Sequence, residues 1–210
     1  ETSEVPDWAA SLNFGNCLSW SLDAKTLAAL RNGVISLWTL DKNHAVPVDL
    51  PVPEGIQCRF NQLQFSKNHL LLTAGGVAWR ESNGETFSFA AVWDTSTQTP
   101  KLISTIDKSD LIHTVESQVQ QRTGITAIAF DDNLHEIITG GADGRLIRWQ
   151  MAESTDDTVP SLTRIRDVLL DQGTKNPHQG MITAIDVSSS GQLLTGDSEG
   201  RLLLWSIPPK

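Results

Sequence analysis

The last part of the chain contains one pattern of apolar and polar positions twice. Residues 124–151 and 180–207 each hold an alternating apolar run, a polar turn, a second apolar run ending in Thr-Gly, a tight turn with Gly, and a third run ending on Trp. The segment Ile125–Ile128 aligns with Ile182–Ile185. Runs of this length and alternation predict short strands, and the glycines in the turns favour antiparallel hairpins. Each copy is therefore predicted to be an antiparallel meander.

The same pattern continues towards the beginning of the chain in a weaker form. Trp38 ends a run after the turn Arg31-Asn32-Gly33, and Trp93 ends another together with Asp94. The four tryptophans that end such runs, which also include Trp149 and Trp205, are spaced 55, 56 and 56 residues apart. An even recurrence of this kind predicts a repeat fold.

These residues resemble the WD-repeat family of β-propellers. A repeat of that family carries a His before the first strand, a Ser or Thr in the second strand, an Asp in the turn and a Trp-Asp pair at the end of the third strand. In the last copy these places are taken by His178, Thr195, Glu199 and Trp205. In the copy before it they are taken by Gln121, Thr139, Asp143 and Trp149. The resemblance implies that these side chains are structural and join the strands of one blade.

The resemblance implies an all-β propeller of four-stranded antiparallel blades, within a single domain over residues 1–210. The expected blades span residues 13–52, 56–106, 121–170 and 178–207, and residues 5–12 form an orphan strand. Rings of this family usually hold six to eight blades, so two arrangements remain open. The chain is either the C-terminal part of a larger ring, or a four-bladed ring or half-ring that closes on itself or on another chain.

Two segments depart from the repeat. Residues 75–87 lengthen the second repeat, and they centre on Asn83-Gly84, a pair typical of hairpin turns. They are interpreted as second and third strands that extend into a projecting arm. In residues 107–124, Leu111, Val115 and neighbouring apolar residues recur at helical spacing, which favours a short helix.

Composition and charge narrow the possible partners. The net charge is −9, and no cluster of Lys and Arg offers the phosphate contacts that nucleic-acid binding requires, so no nucleic-acid partner is expected. No apolar run approaches the length of a membrane helix, so membrane insertion is not expected. Cys17 and Cys58 are interpreted as free thiols, and no Asn-x-Ser/Thr sequon occurs. These features favour an intracellular location, in the cytoplasm rather than the nucleus.

The chain shows little that resembles catalytic or metal chemistry. Gly196-Asp197-Ser198-Glu199-Gly200 matches the G-x-S-x-G motif of serine hydrolases, but a predicted strand follows it where that motif requires a helix. His178 is interpreted as the structural histidine of its blade. The other four histidines lack the spacing of a metal site. No enzymatic activity, cofactor or metal is therefore expected.

Four residues are candidates for contacts with a partner. Trp79 and Arg80 lie on the projecting arm, and Trp and Arg are common at interface hot spots. Arg145 and Arg201 follow equivalent turns, at the ring face that often receives partners in similar proteins. The remaining tryptophans, Trp20 included, are expected in the core, except for Trp8.

The sequence thus predicts a rigid surface with variable loops for protein partners, as a non-catalytic scaffold or a subunit of a complex. The alternative is a sensor or recruitment domain of a larger enzyme or signalling NTPase. Both readings rest on analogy of fold.

Overall fold

The structure of the chain is a computed structural model. It describes residues 18–31, 34–39, 47–67, 71–106, 114–115, 122–151, 163–167, 178 and 180–206. Every regular element in these ranges is a β-strand, which confirms the all-β class. No helix in the described ranges is long and apolar enough to cross a bilayer.

The described strands form four larger antiparallel sheets and one two-stranded sheet, in which neighbours in sequence are neighbours in space. Sheet 1 contains β1 (Leu18–Trp20), β2 (Thr26–Arg31), β3 (Val34–Thr39) and β4 (Val48–Asp49). Sheet 2 contains β5 (Ile56–Phe65), β6 (Leu71–Arg80), β7 (Thr86–Asp94) and β8 (Lys101–Ile106). A two-stranded sheet of β9 (Thr114–Val115) and β10 (Arg122–Thr123) follows. Sheet 3 contains β11 (Ile125–Asp131), β12 (Glu136–Gly141), β13 (Leu146–Gln150) and β14 (Thr163–Asp167). Sheet 4 contains β15 (Ile182–Val187), β16 (Gln192–Asp197) and β17 (Leu202–Ser206).

The sheets share one register, as copies of a repeat should. Trp93, Trp149 and Trp205 each pair with an aliphatic residue of the second strand, at Leu72, Ile137 and Leu193. The first strands of sheets 2, 3 and 4 also carry a bulge at the same place, for example between Ile125 and Ala127. Because a bulge re-aims the residues that follow it, the three first strands enter their sheets in the same way.

Each sheet packs one face against the next sheet along the chain. The third core cluster shows this arrangement, because Ala127, Ile138 and Leu146 of sheet 3 contact Ile182 and Leu193 of sheet 4. Sheets 1 and 2, and sheets 2 and 3, share two further clusters. The apolar positions that made the sequence repeat are therefore buried between sheets, as in the blades of a propeller. The four sheets form an arc that is not closed.

Glycine permits the closest of these contacts. A Cβ at Gly140 would lie 2.5 Å from Ile182 Cγ2, and one at Gly75, the same register position in sheet 2, would lie 2.5 Å from Ile125 Cγ2. The absence of a side chain at both positions lets the first strand of the next sheet lie against the second strand.

Polar side chains join the first strands of neighbouring sheets. Gln62 Oε1 accepts a hydrogen bond from Ile128 N at 2.7 Å, and Gln64 Oε1 accepts one from Phe130 N at 3.2 Å. Ser19 Oγ accepts from Phe65 N at 3.0 Å in the same way. These bonds satisfy backbone donors on the inner edges of the sheets, where no strand in the described part of the chain pairs.

Lys67 connects three sheets at one end of the arc. It follows β5, its N–H donates to Asp132 Oδ2 of the turn in sheet 3 at 2.8 Å, and its ammonium donates to Val187 O of sheet 4. Asp186 Oδ1 lies 3.6 Å from the same ammonium. The contact extends beyond the nearest neighbouring sheet.

The second sheet carries the predicted projecting arm, with one difference. The sequence placed the extra length in two strands, but β5, β6 and β7 are all lengthened and pair as far as Ile56, Arg80 and Thr86. A third strand covers one edge of the hairpin and supplies the backbone partners that a lone hairpin lacks.

Two expectations about the fold are wrong in the described residues. Trp20 is 51% exposed and lies outside the core, because sheet 1 ends the arc and no described sheet covers that face. Val115 belongs to β9, which pairs with β10, instead of a helix. Leu111, Ile112 and Val119 of the expected helix and the orphan strand at residues 5–12 lie outside the described residues.

Candidate functional site

The candidate site is a groove between sheet 1 and the arm of sheet 2. One wall is the segment from Leu50 to Gly55, which links the two sheets. Leu50 N donates to Ile35 O at 2.8 Å, and Glu81 N donates to Gly55 O at 2.9 Å. Between these two ties, the Trp93 indole N–H donates to Pro51 O at 2.7 Å. The wall is therefore fixed at both ends and in the middle.

The arm forms the other wall. In sheet 3 the second strand ends at Gly141, whereas β6 of sheet 2 continues four residues beyond Gly76, which holds the same register position. At about 3.3 Å per residue the arm projects roughly 13 Å beyond the ends of the other sheets. The groove therefore lies at the face of the arc where the second and third strands of each sheet are joined.

Side chains stiffen the tip of the arm. Gly84 adopts a positive φ of 70° in the turn, and Glu85 N donates to Asn83 Oδ1 at 2.9 Å. The Arg80 guanidinium lies 4.9 Å from the centre of the Phe87 ring, and its Nε lies 3.4 Å from Glu85 Oε2. Phe87 in turn packs edge-on against Phe89. The arm is thus a preformed surface.

The groove encloses about 510 Å³ and is mostly apolar. This volume falls within the range of ordinary binding pockets, about 300–1,000 Å³. The residues that line it come from both sheets and the link between them: Val34, Ile35, Leu50, Val52, Ile56, Gln57, Cys58, Arg59, Phe60, Trp79 and Trp93. Val34 and Val52 remain exposed at its mouth.

Cys58 contributes a thiol to the groove, and it is a free cysteine, as expected. Burial raises its pKa to about 12. The thiol therefore stays protonated near neutral pH and acts as an apolar lining group, since the reactive form of cysteine is the thiolate.

The four predicted contact residues lie at this same face but fall into two groups. Trp79 lines the groove, and Arg80 holds the arm beside it. Arg145 and Arg201 follow the turns of sheets 3 and 4, where their backbone N–H groups donate to Asp143 Oδ1 and Asp197 Oδ1 at 3.0 and 2.9 Å. The structure thus brings Trp79 and Arg80 together and leaves the other two arginines on neighbouring sheets.

The structural histidine of sheet 4 lies in a buried hydrogen-bonded chain. His178 Nε2 lies 2.7 Å from Thr195 Oγ1, and the Trp205 indole N–H donates to the same hydroxyl at 2.8 Å. His178 Nδ1 lies 2.9 Å from Asp197 Oδ2. The chain therefore ties the approach to β15 to the second and third strands of its sheet.

The acidic residue in this hydrogen-bonded chain differs from the one that the sequence predicted. Glu199 was expected there, but Asp197 contacts the histidine, because its side chain also accepts the N–H groups of Glu199 and Arg201 across the turn. Burial acts to raise the pKa of Asp197, but the hydrogen bonds from His178 and these two N–H groups outweigh it and hold the pKa below its ordinary value.

The other sheets keep only parts of this arrangement. In sheet 3 the Trp149 indole N–H donates to Thr139 Oγ1 at 2.8 Å, while Gln121 lies outside the described residues. In sheet 2 Ala74 holds the register position of these threonines, so Trp93 donates to the link residue Pro51 instead. Asp94, next to it, accepts Ser96 N at 2.8 Å in the following turn. Trp38 of sheet 1 is half-buried in β3.

The geometry gives no support to a hydrolase at Ser198. Its hydroxyl accepts the N–H of Met181 at 3.1 Å, and β17 follows the turn where a nucleophile elbow would need a helix. Across the described part of the chain, no three His, Cys, Asp or Glu side chains come together as a metal site would require.

Sequence reasoning found Trp79 but missed the rest of the groove. Leu50, Val52, Ile56 and Cys58 lie in the link and in the lengthened β5, which are not parts of the repeat. The clustered prolines Pro47, Pro51 and Pro53 beside these apolar residues were the available signal.

Comparison with known families agrees with this architecture. The sequence model of the WD domain, G-beta repeat family matches residues 109–150 and 171–206. These segments contain β11 to β13 and β15 to β17, together with the threonine and tryptophan pairs of sheets 3 and 4. No curated protein matches the chain in a sequence search. The repeated register, the four blade-like sheets and these two matches, which fall on sheets 3 and 4, support a relationship of the chain to the WD-repeat family.

Proposed function

We propose that the chain is a non-catalytic protein-interaction module whose groove between sheet 1 and the arm receives a segment of a partner protein. WD repeats generally mediate protein–protein interaction, and proteins built from them are typically non-catalytic. The groove is the observation that carries the proposal, because it combines an apolar floor with walls that are already fixed.

The chemistry of the groove suggests the kind of segment that fits. The lining is apolar over most of its area and includes two tryptophans, so an aromatic or branched aliphatic side chain would serve as the anchor. Arg59 is exposed at the lining, and a neighbouring acidic residue of the partner would suit its charge. Because the walls are held by hydrogen bonds before binding, little ordering would oppose association.

The wider assignments follow from the same proposal. The whole of residues 1–210 acts as one domain, with Arg145 and Arg201 extending the contact face beyond the groove. An intracellular, cytoplasmic setting is supported by the lack of a glycosylation sequon and by the free Cys58.

A library of displayed random peptides would test this function. Peptides selected on the chain are expected to share an apolar anchor, and Trp79→Ala should weaken their binding at least about tenfold, the loss typical of a hot spot. Leu22→Ala, which alters an exposed turn of sheet 1 outside the groove, is the matched control and should leave the affinity unchanged. Failure to select any peptide, or peptides that bind the Trp79→Ala and Ile56→Ala variants as well as the original chain, would contradict the proposal.

A further inference from the structure

The first and last sheets of the arc each expose an apolar face. On sheet 4, Leu194, Leu202 and Leu204 are 44%, 73% and 67% exposed. On sheet 1, Leu18 and Trp20 are 50% and 51% exposed. Large apolar side chains grouped in this way on two sheet faces are typical of surfaces that another protein covers.

The exposed residues of sheet 4 hold the same register positions as residues that are buried in sheet 3. Leu194 and Leu202 take the positions that Ile138 and Leu146 hold in sheet 3. Ile138 and Leu146 are fully buried against sheet 4. Sheet 4 therefore exposes the kind of face that sheet 3 buries against the sheet that follows it.

The exposed face of sheet 1 is the other half of the same contact. Leu18 and Trp20 pair with Ala29 and Leu27, as Ile128 and Phe130 of sheet 3 pair with Thr139 and Ile137. Ile128 and Phe130 are buried against sheet 2. The chain thus carries both halves of one sheet-to-sheet contact, each left open at one end of the arc.

We propose that a second copy of this chain fills both ends, so that sheet 4 of each copy packs on sheet 1 of the other. The two contacts are related by a two-fold axis along the centre of the ring. Two arcs of four sheets give eight, and propellers hold about four to eight blades. Three copies would exceed that range, and one copy leaves both faces open.

A polar detail gives the contact its register. Gln64 of β5 accepts the N–H of Phe130 from the next sheet, and Ser19 of β1 accepts that of Phe65. Asp186 holds the equivalent position in β15, and Trp20 holds the position of Phe65 and Phe130. In the two-copy ring the Asp186 carboxylate accepts a hydrogen bond from the backbone N–H of Trp20 in the other copy.

The mass of the chain in solution tests the proposal directly. Sedimentation equilibrium of the 210-residue chain should give twice the mass of one chain, and Leu204→Glu or Trp20→Glu should weaken the association roughly tenfold or more, because each buries a charge in an apolar contact. Leu22→Glu is the matched control, since Leu22 is 70% exposed in a turn outside both faces, and it should leave the dimer intact.

Mixing the two variants identifies which faces meet. Leu204→Glu and Trp20→Glu each spoil both contacts in their own dimer, but a mixed dimer retains one contact with two original faces. The mixture should therefore associate more tightly than either variant alone. If sheet 4 instead paired with sheet 4, Trp20→Glu would dimerise normally, and that result would overturn the proposal.

Two further outcomes would also overturn it. One is that the original chain sediments as a folded monomer up to high concentration, in which case the open faces belong to another partner or to further sheets of a longer chain. Growth into long open-ended assemblies would show that the contact forms without closing a ring. Neither outcome bears on the groove, because the peptide experiment does not depend on the mass of the chain.

Discussion

At the scale of single residues, one hydroxyl group organises the interior of sheet 4. Thr195 Oγ1 lies within hydrogen-bond distance of both His178 and the Trp205 indole, and Asp197 orients the opposite nitrogen of the histidine. Since all four side chains are buried, each polar group needs the others. The chain of bonds therefore acts as one unit that fixes how the approach to β15 meets the strands.

The lowered pKa of Asp197 predicts a pH dependence of stability. A carboxyl group whose pKa is lower in the folded state stabilises the fold above its unfolded value, here 3.8, and this contribution is lost as the pH falls through the folded pKa. The free energy of unfolding, measured with urea, should therefore fall more steeply below about pH 4 for the original chain than for Asp197→Asn. Equal slopes for the two proteins would contradict the assignment, and Glu199→Gln should behave like the original chain.

The residues of this chain of hydrogen bonds also show what an alignment of the repeats can predict. The pairs Thr139–Trp149 and Thr195–Trp205 followed from alignment, because both lie in strands whose register is fixed by alternation. The acid did not, because the position that contacts the histidine depends on how the turn folds, and the turn folds around the Asp197 side chain itself. Alignment placed the glutamate two positions later in that role.

At the scale of elements, sheet 3 contains a charged pair in its buried face. The Arg148 guanidinium of β13 donates to the Glu136 carboxylate of β12, and both side chains are almost fully buried. The equivalent residues of sheet 4, Gln192 and Leu204, are exposed. The pair therefore belongs to the contact of an inner sheet, where a charge needs a partner within reach.

Removal of one member of this pair should destabilise the chain strongly. Arg148→Leu leaves the Glu136 charge buried and should lower the free energy of unfolding by about 3–5 kcal/mol. The double variant Glu136→Leu/Arg148→Leu should lose less than Arg148→Leu alone, because neither charge of the pair remains. Lys101→Leu, at an exposed strand end, should change stability by about 0.5 kcal/mol or less. Denaturant unfolding measures all three, and additive losses in the double variant would show that the two groups do not interact.

The elements that form the groove could not be predicted from the repeat. Trp79 is conspicuous in sequence as an aromatic residue on an added hairpin, whereas Leu50, Val52 and Ile56 are ordinary apolar residues in sequence. Their role depends on the path of the link between sheets, which is fixed by ties to Ile35, Trp93 and Glu81. Contacts of that kind join distant parts of the chain and leave no local period.

At the scale of the whole molecule, the spacing between sheets depends on glycine. Gly75 and Gly140 lie where the second strand of one sheet meets the first strand of the next. Gly196 holds the same position in sheet 4, where the nearest atom to an added Cβ is the end of the Leu202 side chain at 3.3 Å. The same residue type therefore serves a contact between sheets in two places and lies near a movable side chain in the third.

Adding one methyl group should separate these cases. Gly140→Ala brings a Cβ within 2.5 Å of Ile182, so the two sheets must move apart, at a cost of about 1–3 kcal/mol. Gly196→Ala is the matched control. In dilute solution it should lower the free energy of unfolding less than Gly140→Ala, because Leu202 can rotate away. Thermal or urea unfolding provides the measurement, and a larger loss for Gly196→Ala than for Gly140→Ala would contradict this account of the packing.

The contacts of Lys67 have a consequence for how the arc comes apart. Units in a linear array of repeats contact only their nearest neighbours, so individual units of such an array can unfold separately. Lys67 follows a strand of sheet 2, yet it bonds to Asp132 of sheet 3 and to Val187 of sheet 4. This second-neighbour coupling opposes stepwise melting of the last three sheets and favours their loss as one cooperative block.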